Sequence, residues 1–143
     1  MLVTESEVRT KLGLFLVASH MGVLVLIVTF YFIGGFQFEE MTTAVALITP
    51  MFASFTTVIV KQVIAERSKR VVASPAVNGA FVFLSFFFPA LFVAYLGVIT
   101  FLKAFNVKIE NVEQFKGLLA VGETGFAVYI GMFIGSLFQQ PTV

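Results

Sequence analysis

Residues 12–33 read LGLFLVASHMGVLVLIVTFYFI, an apolar run without a single charged side chain. As a helix rising ~1.5 Å per residue, such a run crosses a hydrocarbon core of ~30 Å. Three further stretches share the character: Met41–Ile64, Gly79–Leu102 and Gly117–Phe138. Lipid leaves no water to satisfy backbone N–H and C=O groups, and four segments are too few for a closed β-barrel, so each is expected to be helical. The chain reads as an all-α integral membrane protein, a four-transmembrane-helix bundle forming a single domain over residues 1–143. The expected helices are about 12–34, 41–64, 75–103 and 117–138, with a short interfacial helix over 108–116.

Composition supports this. Of 143 residues, 59% are hydrophobic and 12% charged, and mean hydropathy is +1.01. A soluble domain is roughly 25% charged, so this chain lacks the polar surface to cover a water-soluble globule. Cysteine is absent, which excludes a disulfide framework, thiol-relay oxidoreductases and Cys-ligated metals. Tryptophan and aspartate are absent too. The net charge of +1 advertises no nucleic-acid partner. Before the first apolar run, Glu5 and Glu7 stand beside Arg9 and Lys11. The run is too long for a signal-peptide core, so the first helix is expected to stay in the mature protein.

The connections set an expected orientation. The first, Gly34 to Glu40, is short and acidic. The second carries Arg67, Lys69 and Arg70 beyond Lys61 and ends Ser74-Pro75, a cap followed by proline at the first helical position. In the third, Lys103 to Lys116, apolar and polar residues alternate, and Asn111 is a candidate cap. With both termini cytoplasmic, the inner side holds Arg9, Lys11, Lys61, Arg67, Lys69 and Arg70, against Lys103, Lys108 and Lys116 outside. That asymmetry places the chain in the cell membrane, the inner membrane if prokaryotic, with N and C termini inside. Lys61, Arg67, Lys69 and Arg70 are also candidates for holding lipid headgroups or an acidic cytoplasmic protein partner.

Small residues mark packing faces. Glu123, Ala127, Gly131 and Gly135 follow at intervals of four; Ala90, Ala94 and Gly97 form a stripe in helix three, and Ala18 and Gly22 in helix one. Such stripes allow close helix approach, either within one bundle or between copies in a homo-oligomer. Pro50 and Pro89 lie inside helices and are expected to kink them, with Thr49, Ser54 and Ser85 at hand to satisfy freed carbonyls.

Glu123 is the one carboxyl deep in an apolar segment, and His20 is the only histidine. An ionised carboxylate at such depth is expensive, so Glu123 is expected to be protonated or to face a partner. Helical depth places Tyr95 and Thr49 in its layer and predicts a Glu123–Tyr95 hydrogen bond. His20, Thr56 and Tyr129 belong to a second layer, with His20 ~10 Å from Glu123 along the membrane normal. One histidine per chain makes no ordinary haem or metal site. Thr49, Ala53 and Thr56 share a face of helix two; such hydroxyls line a hydrated path or bond their own backbone.

No nucleophile–base pair, metal-ligand set, phosphate loop or cofactor signature is present. No enzymatic activity, cofactor or metal is therefore expected. The expected function is a small homo-oligomeric channel, pore or membrane-perturbing effector, controlled by a cytoplasmic partner and suited to a bacterial defence or cell-death module. Two alternatives stay open: a membrane-anchor or assembly subunit of a larger complex, and a dimeric proton-coupled transporter using Glu123.

Overall fold

A computed structural model describes residues 4–67 and 76–138. Four helices account for nearly all of them: α1 (Glu5–Phe32), α2 (Phe38–Arg67), α3 (Gly79–Ala104) and α4 (Val112–Phe138). Together they form an all-α four-helix bundle. Lys69, Arg70, Ser74, Pro75 and the tail Gln139-Gln140 lie outside the described residues.

The helix starts differ from expectation, each for a local reason. α1 begins at Glu5, about two turns before the apolar run. Thr4 caps it by accepting from the Glu7 backbone N–H at 3.4 Å, and Arg9–Glu5 and Lys11–Glu7 pairs at 2.7 and 2.6 Å brace the polar turns. α3 begins at Gly79, not 75, where the Asn78 side chain accepts from Ala80 N–H at 3.0 Å. The expected interfacial helix over 108–116 is not separate. Lys108 has φ 66°, a left-handed conformation outside any helix, whereas Asn111 accepts from Gln114 N–H at 2.8 Å and so caps α4 itself.

α1 and α3 end in the same way. Gly34, with φ 83°, adopts the left-handed conformation that closes a helix; Gly35 N–H reaches back to Phe30 O at 2.8 Å. Asn106, φ 52°, does this for α3, with Val107 N–H donating to Leu102 O at 2.8 Å. The two turns meet at one end of the bundle: a side chain on Gly35 would sit 3.0 Å from the Ala104 methyl. At the opposite end Thr4 bridges Ala76. α1 and α3 therefore run parallel, as do α2 and α4.

Contacts join α1 to α2 and α3, and α4 to α2 and α3. The two hairpins α1–α2 and α3–α4 thus lie side by side, and the chain passes from α2 to the diagonally placed α3. Each helix buries one narrow stripe at coiled-coil-like spacing. In α1 it is Leu12, Leu16, His20, Val23, Ile27 and Phe30; in α4 it is Phe115, Leu119, Glu123, Phe126 and Tyr129. The outward faces carry large apolar side chains too: Leu14, Val25, Phe83, Leu91, Val98 and Val121 are all more than half exposed. Contiguous apolar surface on this scale requires an apolar surrounding. Three helices, Glu5–Phe32, Phe38–Lys61 and Gly79–Ala104, are long and apolar enough to span a membrane among the described residues. The chain is a multi-pass helical membrane protein.

Candidate functional site: an aromatic box and unpartnered polar groups

One ring from each of the other helices closes around His20, which is fully buried, with a second from α2. The imidazole centroid lies 5.9 Å from Phe52 and 4.6 Å from Phe55 on α2, 5.6 Å from Phe92 on α3 and 5.7 Å from Phe126 on α4. Phe92 and Phe126 are themselves stacked at 4.0 Å. The residues responsible sit on the buried stripe of each helix, so the box follows from packing four stripes together. It fills the axis of the single bundle with rings.

His20 Nδ1 is 3.0 Å from the Leu16 carbonyl oxygen. A carbonyl only accepts, so Nδ1 carries a proton, and in the neutral ring Nε2 then holds a lone pair. Nε2 is buried without a hydrogen-bond partner, as are both carboxyl oxygens of Glu123 and the hydroxyls of Thr56 and Thr100. Glu123 lies three residues before Phe126, about one turn or ~4.5 Å along α4. It therefore occupies the layer next to the box.

The expected Glu123–Tyr95 hydrogen bond does not form. Tyr95 hydroxyl donates instead to Leu118 O at 2.8 Å. Its ring lies across Gly122, where an added Cβ would come within 2.5 Å of the ring, while Glu123 turns to the core. Tyr95 and Gly122, together with Phe88, Leu91, Gly125 and Tyr129, line an apolar groove of about 420 Å³ between α3 and α4. Tyr129 has a different partner. Its hydroxyl donates to Ser85 O at 2.9 Å, the carbonyl that Pro89, four residues on, leaves without its helical donor. The expected local hydroxyls do not do this work: Ser85, Thr49 and Ser54 each bond the carbonyl four residues back, at 2.8, 2.6 and 2.8 Å.

The other sequence candidates divide by face. Ala18, Gly22, Ala90, Ala94 and Gly131 are exposed, and Ala127 and Gly97 are half-buried. A Cβ at Gly22, Gly97 or Gly131 would meet nothing within 4 Å, so these glycines serve no close approach inside the bundle. Gly135 and Arg67 belong to α4 and α2. Lys61 is exposed near the end of α2. Thr49 is exposed and Thr56 half-buried, so the two do not share one surface.

Sequence reasoning missed a buried ion pair where the hairpin turns meet. Lys103 Nζ lies 2.8 Å from Glu40 Oε1, with side-chain exposures of 4% and 9%. Glu40 also accepts from Gln37 N–H at 2.8 Å, and Lys103 donates to Asn106 Oδ1 and Glu110 O at 3.4 Å. The available signal was Gln37–Glu40 spacing, that of a helix-starting cap; nothing local marks Lys103 as its partner. Nearby on α4, the Glu113 carboxylate, hydrogen-bonded and oppositely charged, raises Lys116 above its ordinary pKa.

Among the described residues, no three His, Cys, Asp or Glu side chains cluster to hold a metal ion. No protein-family model, characterised protein or solved structure matches the chain.

Proposed function

We propose that the chain is a homo-oligomeric channel of the bilayer, with α2 turned towards the axis shared by the subunits. The observation that supports it is the outward face of α2. Glu39, Thr42, Ala46, Thr49, Ala53 and Thr57 are all exposed and follow at intervals of three and four residues, the seam of a helix that packs on others. Lys61 ends the same exposed side. On α4, adjacent to α2, Gly117, Ala120 and Thr124 are exposed as well. Between Phe38 and Val60, which are themselves exposed, this stripe is small and hydroxylated, whereas α1 and α3 present Leu14, Val25, Phe83, Leu91 and Phe101. Large apolar side chains suit lipid; a hydroxyl stripe suits water or a neighbouring helix.

The hydroxyls of Thr42, Thr49 and Thr57 donate to carbonyls of their own helix at 3.0, 2.6 and 2.8 Å. Each oxygen keeps lone pairs for water or a cation, so the stripe is a ladder of acceptors. The aromatic box blocks passage inside one subunit, which leaves the axis between subunits as the path. In this reading α4 is the fourth span, both termini are cytoplasmic, and a cytoplasmic protein acts through the basic end of α2.

Ion flux from proteoliposomes tests the proposal. Thr49→Leu should cut flux about tenfold or more, because an apolar ring at that level dewets the path. Wild-type vesicles without leak, or a detergent-resistant mass of one chain, overturn it. Absence of leak with a stably co-purifying subunit would favour the anchor role instead.

A further inference from the structure

Inside each subunit, independently of the α2 pathway, we infer that Glu123 and His20 form a buried proton-exchange site, in which one proton moves between the Glu123 carboxyl and His20 Nε2. Three observations carry this. Both groups are more than nine-tenths buried, and both lack a hydrogen-bond partner at the atoms concerned. Phe126 neighbours the His20 ring, with centroids 5.7 Å apart, and lies one turn from Glu123, so the carboxyl and the imidazole occupy adjoining layers of the core. The box suits the charged form of the base: three aromatic faces at 5.6–5.9 Å are within the range at which ring quadrupoles attract a cation.

The transfer balances. The carboxyl O–H bond breaks and its electron pair stays on the carboxylate. An N–H bond forms at Nε2, while the proton on Nδ1 remains bonded to Leu16 O. A neutral acid and neutral base become a carboxylate and an imidazolium, so the bundle interior keeps zero net charge. Among the described residues, no other titratable group intrudes. Around His20, α2 contributes Phe52 and Phe55, α3 Phe92 and α4 Phe126. One turn towards the hairpin turns, the buried residues on the other helices are Val23, Ile48 and Leu96. Of the remaining titratable groups, Tyr129 donates to Ser85 O and Tyr95 to Leu118 O, and Glu40 and Lys103 pair with each other.

The single histidine makes the test clean. Full-length protein carrying isotopically labelled histidine is reconstituted in phosphatidylcholine vesicles, and the His20 ring signals are followed by solid-state NMR against pH. Glu123→Gln should displace the His20 titration midpoint by about one pH unit or more, since coupled groups titrate as a pair. Superimposable curves for wild type and variant, or a ring that never titrates in wild type, overturn the inference. His20→Phe, which completes the box with a fifth ring, should abolish the pH dependence of the buried carboxyl band in the infrared spectrum; an unchanged band overturns it. Should neither variant fold, the wild type decides: imidazole signals and carboxyl band must change over one pH range, and separate ranges overturn the site.

Discussion

At the residue scale, Lys103 shows how burial converts an ordinary charge into a structural demand. Its ammonium is held by Glu40, Asn106 and Glu110 and almost shielded from solvent. Truncating one partner of such a pair leaves an uncompensated buried charge, at a cost of about 3–5 kcal/mol. Lys103→Met should therefore lower the thermal midpoint in detergent strongly, and Lys103→Met with Glu40→Gln should recover most of the loss. Gly122 makes the complementary demand for space. Gly122→Ala places a methyl against the Tyr95 ring and should destabilise by about 1–3 kcal/mol, as overpacking does. The same melting experiment checks it, with Gly125→Ala, whose Cβ meets nothing within 4 Å, expected to be near neutral.

At the element scale, Pro89 shows one helix completed by another. Pro89 is fully buried and removes a donor from Ser85 O, which Tyr129 replaces from α4. Tyr129→Phe leaves that carbonyl unsatisfied and should destabilise the bundle by about 1–3 kcal/mol. Adding Pro89→Ala restores a backbone N–H at position 89 and should rescue part of the loss. Thermal melts of the single and double variants decide this, because independent sites would show additive losses. Pro89 and its missing hydrogen bond were legible in the sequence. The rescuer was not, since Tyr129 is 44 positions from Ser85 and only α3–α4 packing brings them together.

At the scale of the whole molecule, the bundle is two-sided. α1 and α3 present large apolar side chains, and α2 presents a stripe of hydroxyls and small residues beside exposed Leu47, Val58 and Val60. If α2 faces other subunits, a cysteine there will cross-link between copies, and one on the lipid side will not. The native chain has no cysteine, so Thr49→Cys and Val25→Cys report without background. Oxidation in native membranes should give a covalent dimer from Thr49→Cys and monomer from Val25→Cys; the opposite pattern would place α1 at the interface.

By itself the sequence determined that the chain is helical and belongs in lipid, because long uncharged runs and scarce charge have no other low-energy arrangement. It also marked Glu123 and His20, since an acid or imidazole within an apolar run stands out without any fold. The boundaries were half legible: Asn111 is readable as a cap and caps α4, whereas Thr4 with Glu7 is a capping pattern standing two turns ahead of the apolar run. Tertiary structure alone decided which face of each helix turns inward. That choice depends on the order α1–α2–α4–α3 around the bundle, which is not encoded in any one segment. It put Thr49 outside and Thr56 partly inside, gave Tyr95 to Leu118 and not to Glu123, closed four phenylalanines around His20, and paired Glu40 with Lys103. Hydropathy is nearly uniform around these helices, so periodicity carried little of that information; fit between side chains supplied it.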